Sequence, residues 1–245
     1  MECKTIRNMA DDDNKTLNYK MKLLLDIGQT LMESGADCAR IIRDMKRAAV
    51  HLRIPAENIQ SHVTYTTLML NVCDGERSFT QFRKCMKHGV NLAVLAAVSK
   101  LTWRILRGNT PISAIEHAIT RIRARALCYP HWGIALGAAV GSGGSCKLFG
   151  GSWEESLIAT IAALMGFIAH RLSNKYAFNP YACAMITGFV ATIFAWVIPA
   201  ALGLGTMWYA LVACTIFLMP GFPSINAASD MLNRFTTSGM TRAMD

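Results

Sequence analysis

Hydrophobic and polar positions follow two regimes that change near residue 129. Before it, apolar residues recur three or four apart among charged ones; after it, they run on almost without interruption. From Leu17 the spacing Leu24, Ile27, Leu31 has helical period, and Ser34-Gly35 ends it. Asp37 is placed to cap a second helix carrying Ile41, Met45, Ala48, Ala49 and Leu52 before Pro55. The stretch 62-HVTYTTLMLNVCDGERSFTQFRK-84 is rich in β-branched and aromatic residues, and Asp74-Gly75 inside it suits a tight hairpin turn. Two further helices are expected, from Asn91 to Leu106 and from Pro111 to Ala126, the second with Thr110 as N-cap before a proline at the first helical position.

Four apolar segments come next, approximately Trp132 to Leu148, Ser156 to Leu172, Tyr181 to Ala201 and Thr206 to Phe222. A membrane-spanning helix needs about 20 residues, and three of the four sit at the short end of that range. One short apolar helix fits a soluble core, but four in succession with almost no charge between them exceed what so little polar surface can cover. The expected fold is therefore a small cytoplasmic α+β domain followed by an all-α polytopic membrane domain. Residues 1–16, polar and with an Asp11-Asp12-Asp13 run, read as a flexible tail; 17–128 as the cytoplasmic domain; 129–245 as the transmembrane domain.

Charge sharpens that division. Residues 1–131 hold 20 of the 25 Lys and Arg and 12 of the 16 Asp and Glu, and the mean hydropathy of the chain is +0.27. The basic residues are interleaved with acids along helices, which argues against nucleic acid as a partner. Arg121, Arg123 and Arg125 precede the first segment, Arg171 and Lys175 lie between the second and third, and Arg234 and Arg242 come after the fourth, while Glu154 and Glu155 separate the first two. That pattern places both termini in the cytoplasm. Tyr129, Trp132, Trp153, Tyr176, Tyr181, Trp208 and Tyr209 fall near the expected interfaces, where aromatic rings collect. The amino terminus MECKTIRNMADDDNKT has no apolar core of signal-peptide length.

Candidate chemistry is sparse. Eight cysteines form no C-x-x-C pair and six histidines no ligand spacing, so no metal and no cofactor is expected, and the thiols read as free. No serine or cysteine has a visible base partner, which argues against an enzyme. Gly133, Gly137 and Gly141, four apart in the first span, suit close packing of helices, a reading favoured over a substrate path. The stretch 218-LMPGFPSINAASDM-231 is the sharpest signal. Pro220 and Pro223 around Gly221-Phe222 break an apolar helix, and in hydrocarbon such a break is tolerated only against protein or a wet cavity. Broken helices present backbone groups to solutes in many transporters. Asn226 and Asp230 then share one face if helix resumes. Asp230 reads evenly as a solvated carboxylate at the membrane edge or as a proton-coupling site.

Several stretches in order resemble the N-terminal, large-subunit type of the threonine/serine exporter family. They are the Gly28, Leu31, Gly35-Ala36, Arg40 pattern, Arg83 and 89-GVNLAVLAAV-98 after the hairpin, 129-YPHW-132, 146-CKLFGGSW-153 and above all 220-PGFPSINAASDM-231. The resemblance implies a bacterial inner-membrane exporter of a small carboxylate, either threonine/serine or a dicarboxylate of the succinate type. It also implies a separate, smaller membrane subunit as partner, and leaves room for a homo-oligomer. Family members of this type carry a further span after the proline motif, whereas this sequence ends at 239-GMTRAMD-245. The rival expectations are a cytoplasmic enzyme or sensor on a membrane anchor, and a truncated remnant that moves nothing.

Overall fold

The computed structural model describes residues 2–74, 77–86, 88–108, 110–124, 130–176, 179–219 and 221–244. The chain divides into two compact units. The first joins Met1–Leu127 to Gly221–Asp245, and the second is Cys128–Pro220. The carboxyl-terminal 25 residues, expected to complete the transmembrane domain, thus belong with the polar amino-terminal part.

In the first unit, α1 (Glu2–Glu33) is a single long helix. The polar stretch expected as a tail is its first half. No Pro or Gly interrupts the chain before Gly28. At its other end Gly35, at φ +87°, makes a left-handed cap. There Ala36 N–H donates to Leu31 O at 3.0 Å and Gly35 N–H to Met32 O at 3.0 Å. A Cβ on Gly35 would stand 2.9 Å from Gly89 O, so both the φ and the space require glycine.

Helix α2 (Cys38–His51) starts on Asp37, whose carboxylate accepts from Arg40 N–H at 3.3 Å. A three-stranded antiparallel sheet comes after it: β1 (Ile59–Val63), β2 (Thr67–Asp74) and β3 (Arg77–Lys84), in that order, with Asp74 opposite Arg77. Gly75 of the expected turn lies outside the described residues, and β1 is a strand the composition did not announce. Helices α3 (Leu92–Arg107) and α4 (Ile112–Ala124) complete this part, α3 capped by Asn91, which accepts from Val94 N–H at 3.1 Å. The core is built from large aliphatic side chains, among them Leu24, Ile27, Leu31, Ile41, Met45, Leu68, Leu70 and Ile105. At Gly28 a Cβ would come within 2.5 Å of Leu68, which lets α1 lie close on the sheet. Arg123 of α4 donates to Thr30 Oγ1 at 2.7 Å and to Asp26 O at 3.0 Å, so a residue of the basic run serves to tie α4 to α1.

The second unit holds α5 (His131–Leu148), α6 (Trp153–Lys175), α7 (Pro180–Ala201), the short α8 (Trp208–Ala213) and a 3-10 turn at Ile216–Leu218. Ser152 and Glu155 form a reciprocal capping box that starts α6. Apart from Ile158, the buried core positions of this unit are small: Cys146, Ala159, Ala162, Ala191, Ala195, Ala210, Ala213 and Cys214. Two helices, Trp153–Lys175 and Tyr181–Ala201, are long and apolar enough to cross a membrane. The first expected span is an 18-residue helix diluted by Gly, Ser and Lys147, and the fourth is broken after Ala213.

Candidate functional site

Helices α9 (Gly221–Leu232) and α10 (Thr236–Met244) form a hairpin within the first unit, and its inward side chains meet the turn between α1 and α2. That turn leaves backbone groups without helical partners, as every helix terminus does. Asn226 Nδ2 donates to Gly35 O at 2.7 Å, and Arg242 Nη2 to Ala36 O at 3.0 Å. Cys38 N–H, at the first position of α2, donates to Asp230 Oδ1 at 2.7 Å. Arg242 Nε lies 3.2 Å from Asp230 Oδ2. Asp230 is fully buried and Arg242 nearly so, which makes this a buried ion pair that also satisfies backbone on both partners. Ser238 adds a bond to Val63 O at 3.3 Å, and the Arg242 guanidinium stands 5.3 Å from the centre of the Tyr65 ring. Burial, with the Asp230 carboxylate beside it, pushes the Cys38 thiol up to about 11.

The hairpin itself is tightly closed. A Cβ on Gly239 would stand 2.7 Å from Ala227 O and 3.0 Å from Met231 N, so α10 crosses α9 at backbone distance. Arg234, at φ +69°, takes the left-handed cap after α9, with Phe235 N–H donating to Asp230 O at 2.8 Å.

The residues of the proline motif take several different places. Pro220 lies outside the described residues. Gly221 opens α9, and Pro223 sits in its first turn, where a missing N–H costs nothing. Phe222 packs against the core beside Gly35. Asn226 and Asp230 share one face of α9, and that face is occupied by backbone of the α1–α2 turn. Arg242, the partner of Asp230, is from sequence only a flanking positive charge, because nothing in a spacing of twelve across a helix break marks an ion pair.

In the second unit the expected packing glycines are not the ones in close contact. A Cβ on Gly137 or Gly141 would meet nothing within 4 Å, and one on Gly133 only Pro130. The close approaches are at Gly143, where a Cβ would stand 2.9 Å from Ser156 O, and at Gly166, 3.2 Å from Thr187 O and 2.8 Å from Ala191 Cβ. Beside Gly166 lies a polar cluster that histidine spacing did not reveal. Thr187 Oγ1 donates to Cys183 O at 2.6 Å, which leaves its oxygen to accept from His170 Nδ1 at 3.1 Å. Asn174 Nδ2, 3.0 Å away, then donates to His170 Nε2. The arrangement fits the imidazole tautomer with its proton on Nδ1. A polar group between membrane helices is a functional candidate by its cost alone. Among the described residues no group of His, Cys, Asp and Glu is placed to hold a metal ion.

A bundle with small residues inside and long apolar helices, attached to a polar unit with its own aliphatic core, defines a multi-pass membrane protein. The family described as "Putative threonine/serine exporter" matches residues 22–245, and the chain belongs to that family. It is 24% identical over 222 residues to the "Probable succinate transporter subunit YjjP" of Escherichia coli, covering 90% of this chain and 85% of that one. It is 22% identical over 228 residues to the "Probable threonine/serine exporter" of Mycobacterium tuberculosis, covering 92% of this chain and 42% of that one. To the "Threonine/serine exporter" of Corynebacterium glutamicum it is 22% identical over 182 residues, 74% of this chain and 37% of the relative. The family and these relatives are transporters rather than enzymes. No solved structure matches the chain.

Proposed function

We propose that the chain is the large subunit of an inner-membrane exporter of small carboxylates, either threonine and serine or a succinate-type dicarboxylate, working with a smaller membrane subunit. The observation that carries this reading is the family match from residue 22 to 245, which takes in both units. One relative is named a transporter subunit, which supports a partner. Residues 128–220 leave the first unit and return to it, so if that unit is one body in the cytoplasm, the number of membrane crossings is even. Four crossings result when α5 and the broken segment Trp208–Leu218 are added to α6 and α7. A short broken segment at membrane depth is the kind of element transporters use to expose backbone to solute.

The solute path is then lined from the second unit, with His170, Thr187 and Asn174 as its polar contacts. Asn226 and Asp230 act one step removed, by fastening the segment after Pro220 to the first unit. The test is efflux of preloaded threonine and succinate from cells lacking their own exporters, with this chain expressed alone and with the small subunit. Efflux of one solute only when both are present supports the split exporter and names its substrate. No efflux from protein located in the membrane in either case would overturn it.

A further inference from the structure

On the first unit, a groove of about 540 Å³ runs between α2, the end of α3 and the loop joining α9 to α10. Its floor is apolar, from Ile42, Val50, Leu106 and Phe235, and its rim carries Arg43, Lys46 and Arg47. Arg47 is held in place: it pairs with the buried Asp44 at 2.8 Å and lies 4.2 Å over the Trp103 ring, while Ser99 donates to the other Asp44 oxygen at 2.9 Å. Arg43 and Lys46 are exposed. The carboxylates in the three contributing stretches, residues 38–53, 99–108 and 228–244, are Asp44 and Asp230, both fully buried and both already paired with an arginine. Asp44 balances Arg47, but the charges of Arg43 and Lys46 are not neutralised from within these elements.

We infer that this groove binds one anionic phospholipid of the bilayer, its phosphate at Arg43, Lys46 and Arg47 and an acyl chain along the Ile42–Val50–Leu106–Phe235 floor. A small carboxylate or free phosphate would gain from the rim but nothing from the floor, whereas a lipid uses both. The supply is also local. The first unit is joined covalently at both its internal ends to a unit with membrane-spanning helices, so bilayer lipid is present at high effective concentration. The inference is independent of which solute is exported.

The test uses the full chain, purified in a zwitterionic detergent and titrated by native mass spectrometry with phosphatidylglycerol and with phosphatidylcholine of the same acyl chains. Replacing two rim charges in Arg43→Gln/Lys46→Gln should weaken the tightest phosphatidylglycerol binding about 30-fold and leave phosphatidylcholine unchanged. Both side chains are exposed, so the unfolding midpoint should not move. Val50→Ser, which removes floor contact and keeps every charge, should weaken the lipid but not glycerol phosphate. Equal phosphatidylglycerol binding by wild type and double variant would overturn the inference. So would glycerol phosphate displacing the lipid at equal concentration, which would make the groove a free-anion site. An acidic amphipathic peptide binding more tightly than the lipid would reassign it to a protein partner.

Discussion

The two units put their large side chains in opposite places. In the first, Leu, Ile and Met fill the interior, and the exposed face carries most of the charge. In the second, Ala, Gly and Cys are inside, while Trp132, Leu136, Val140, Leu157, Phe189, Trp196 and Val212 point outward. Water drives apolar bulk inward, so the first arrangement is that of a water-soluble domain. Lipid tails are as apolar as leucine and give no such drive; helices in lipid gain instead from backbones brought close by small residues. Outward apolar bulk over so much of a unit identifies its solvent more directly than helix length does.

The comparison extends to polar groups. The first unit can bury a full ion pair because the pair also closes exposed backbone, and its loss should be the largest single effect. Asp230→Asn or Arg242→Met leaves one charge buried without its partner and should cost ~3–5 kcal/mol of first-unit stability. Unfolding followed by limited proteolysis of the purified chain reads this, and the double variant Asp230→Asn/Arg242→Met should recover a large part. A single-variant loss below about 1 kcal/mol would mean the pair is solvated, and the hairpin only loosely seated.

Small residues decide the second unit. Gly143→Ala places a Cβ against Ser156 O and should cost ~1–3 kcal/mol, with a lower unfolding midpoint in lipid nanodiscs. Gly141→Ala meets open space and should gain up to ~1 kcal/mol from helix propensity. If both behave alike, the close approach at Gly143 does not hold the bundle together. Asn226→Ala, back in the first unit, removes the donor to Gly35 O and should cost ~1–3 kcal/mol there, the same order as a methyl in the bundle.

Much of this fold is legible in the sequence, and the failures have a common cause. Periodicity marks α2 with its cap Asp37, and α3, whose expected first residue Asn91 is its cap, and Ser34-Gly35 marks the end of α1, because each is decided within a few residues. Of the Pro-Gly-Phe-Pro stretch, Pro223 stands in the first turn of α9, a position that suits its missing N–H. The role of the helix beyond that stretch is not legible. Asn226 and Asp230 find their partners near residues 35 and 38, almost 200 positions away, and a polar residue after an apolar run reads the same whether it faces a cavity or a distant turn. The glycines fail for a related reason: a four-residue spacing shows that Gly133, Gly137 and Gly141 share a face, not what that face meets, and the close approach falls at Gly143, on the other side of the helix. His170 and Thr187 stand on different helices, and only the packing of α6 on α7 joins them.

The smallest effect bears on how dry the first unit is. Burial raises the thiols of both Cys38 and Cys85 to about 11, with the negative Asp230 adding to the shift at Cys38 and Glu33 at Cys85. Cys73, on β2, is only half-buried. A maleimide reacts with thiolate, so at pH 7 Cys73 should be modified well before Cys38 and Cys85, with mass spectrometry of peptides reading the order. A thiol whose folded value lies above its unfolded one holds its proton longer in the folded state. Its contribution to stability is therefore complete below pH 9 and is lost as pH rises from there through about 11. The unfolding midpoint of the first unit should fall over that interval, and Cys38→Ala/Cys85→Ala should flatten the fall. Rapid modification of Cys38 at pH 7 would show water reaching the Asp230–Arg242 pair, and the contrast between a dry aliphatic core and a lipid-facing bundle would then hold for the sheet and α1 but not for the carboxyl-terminal hairpin.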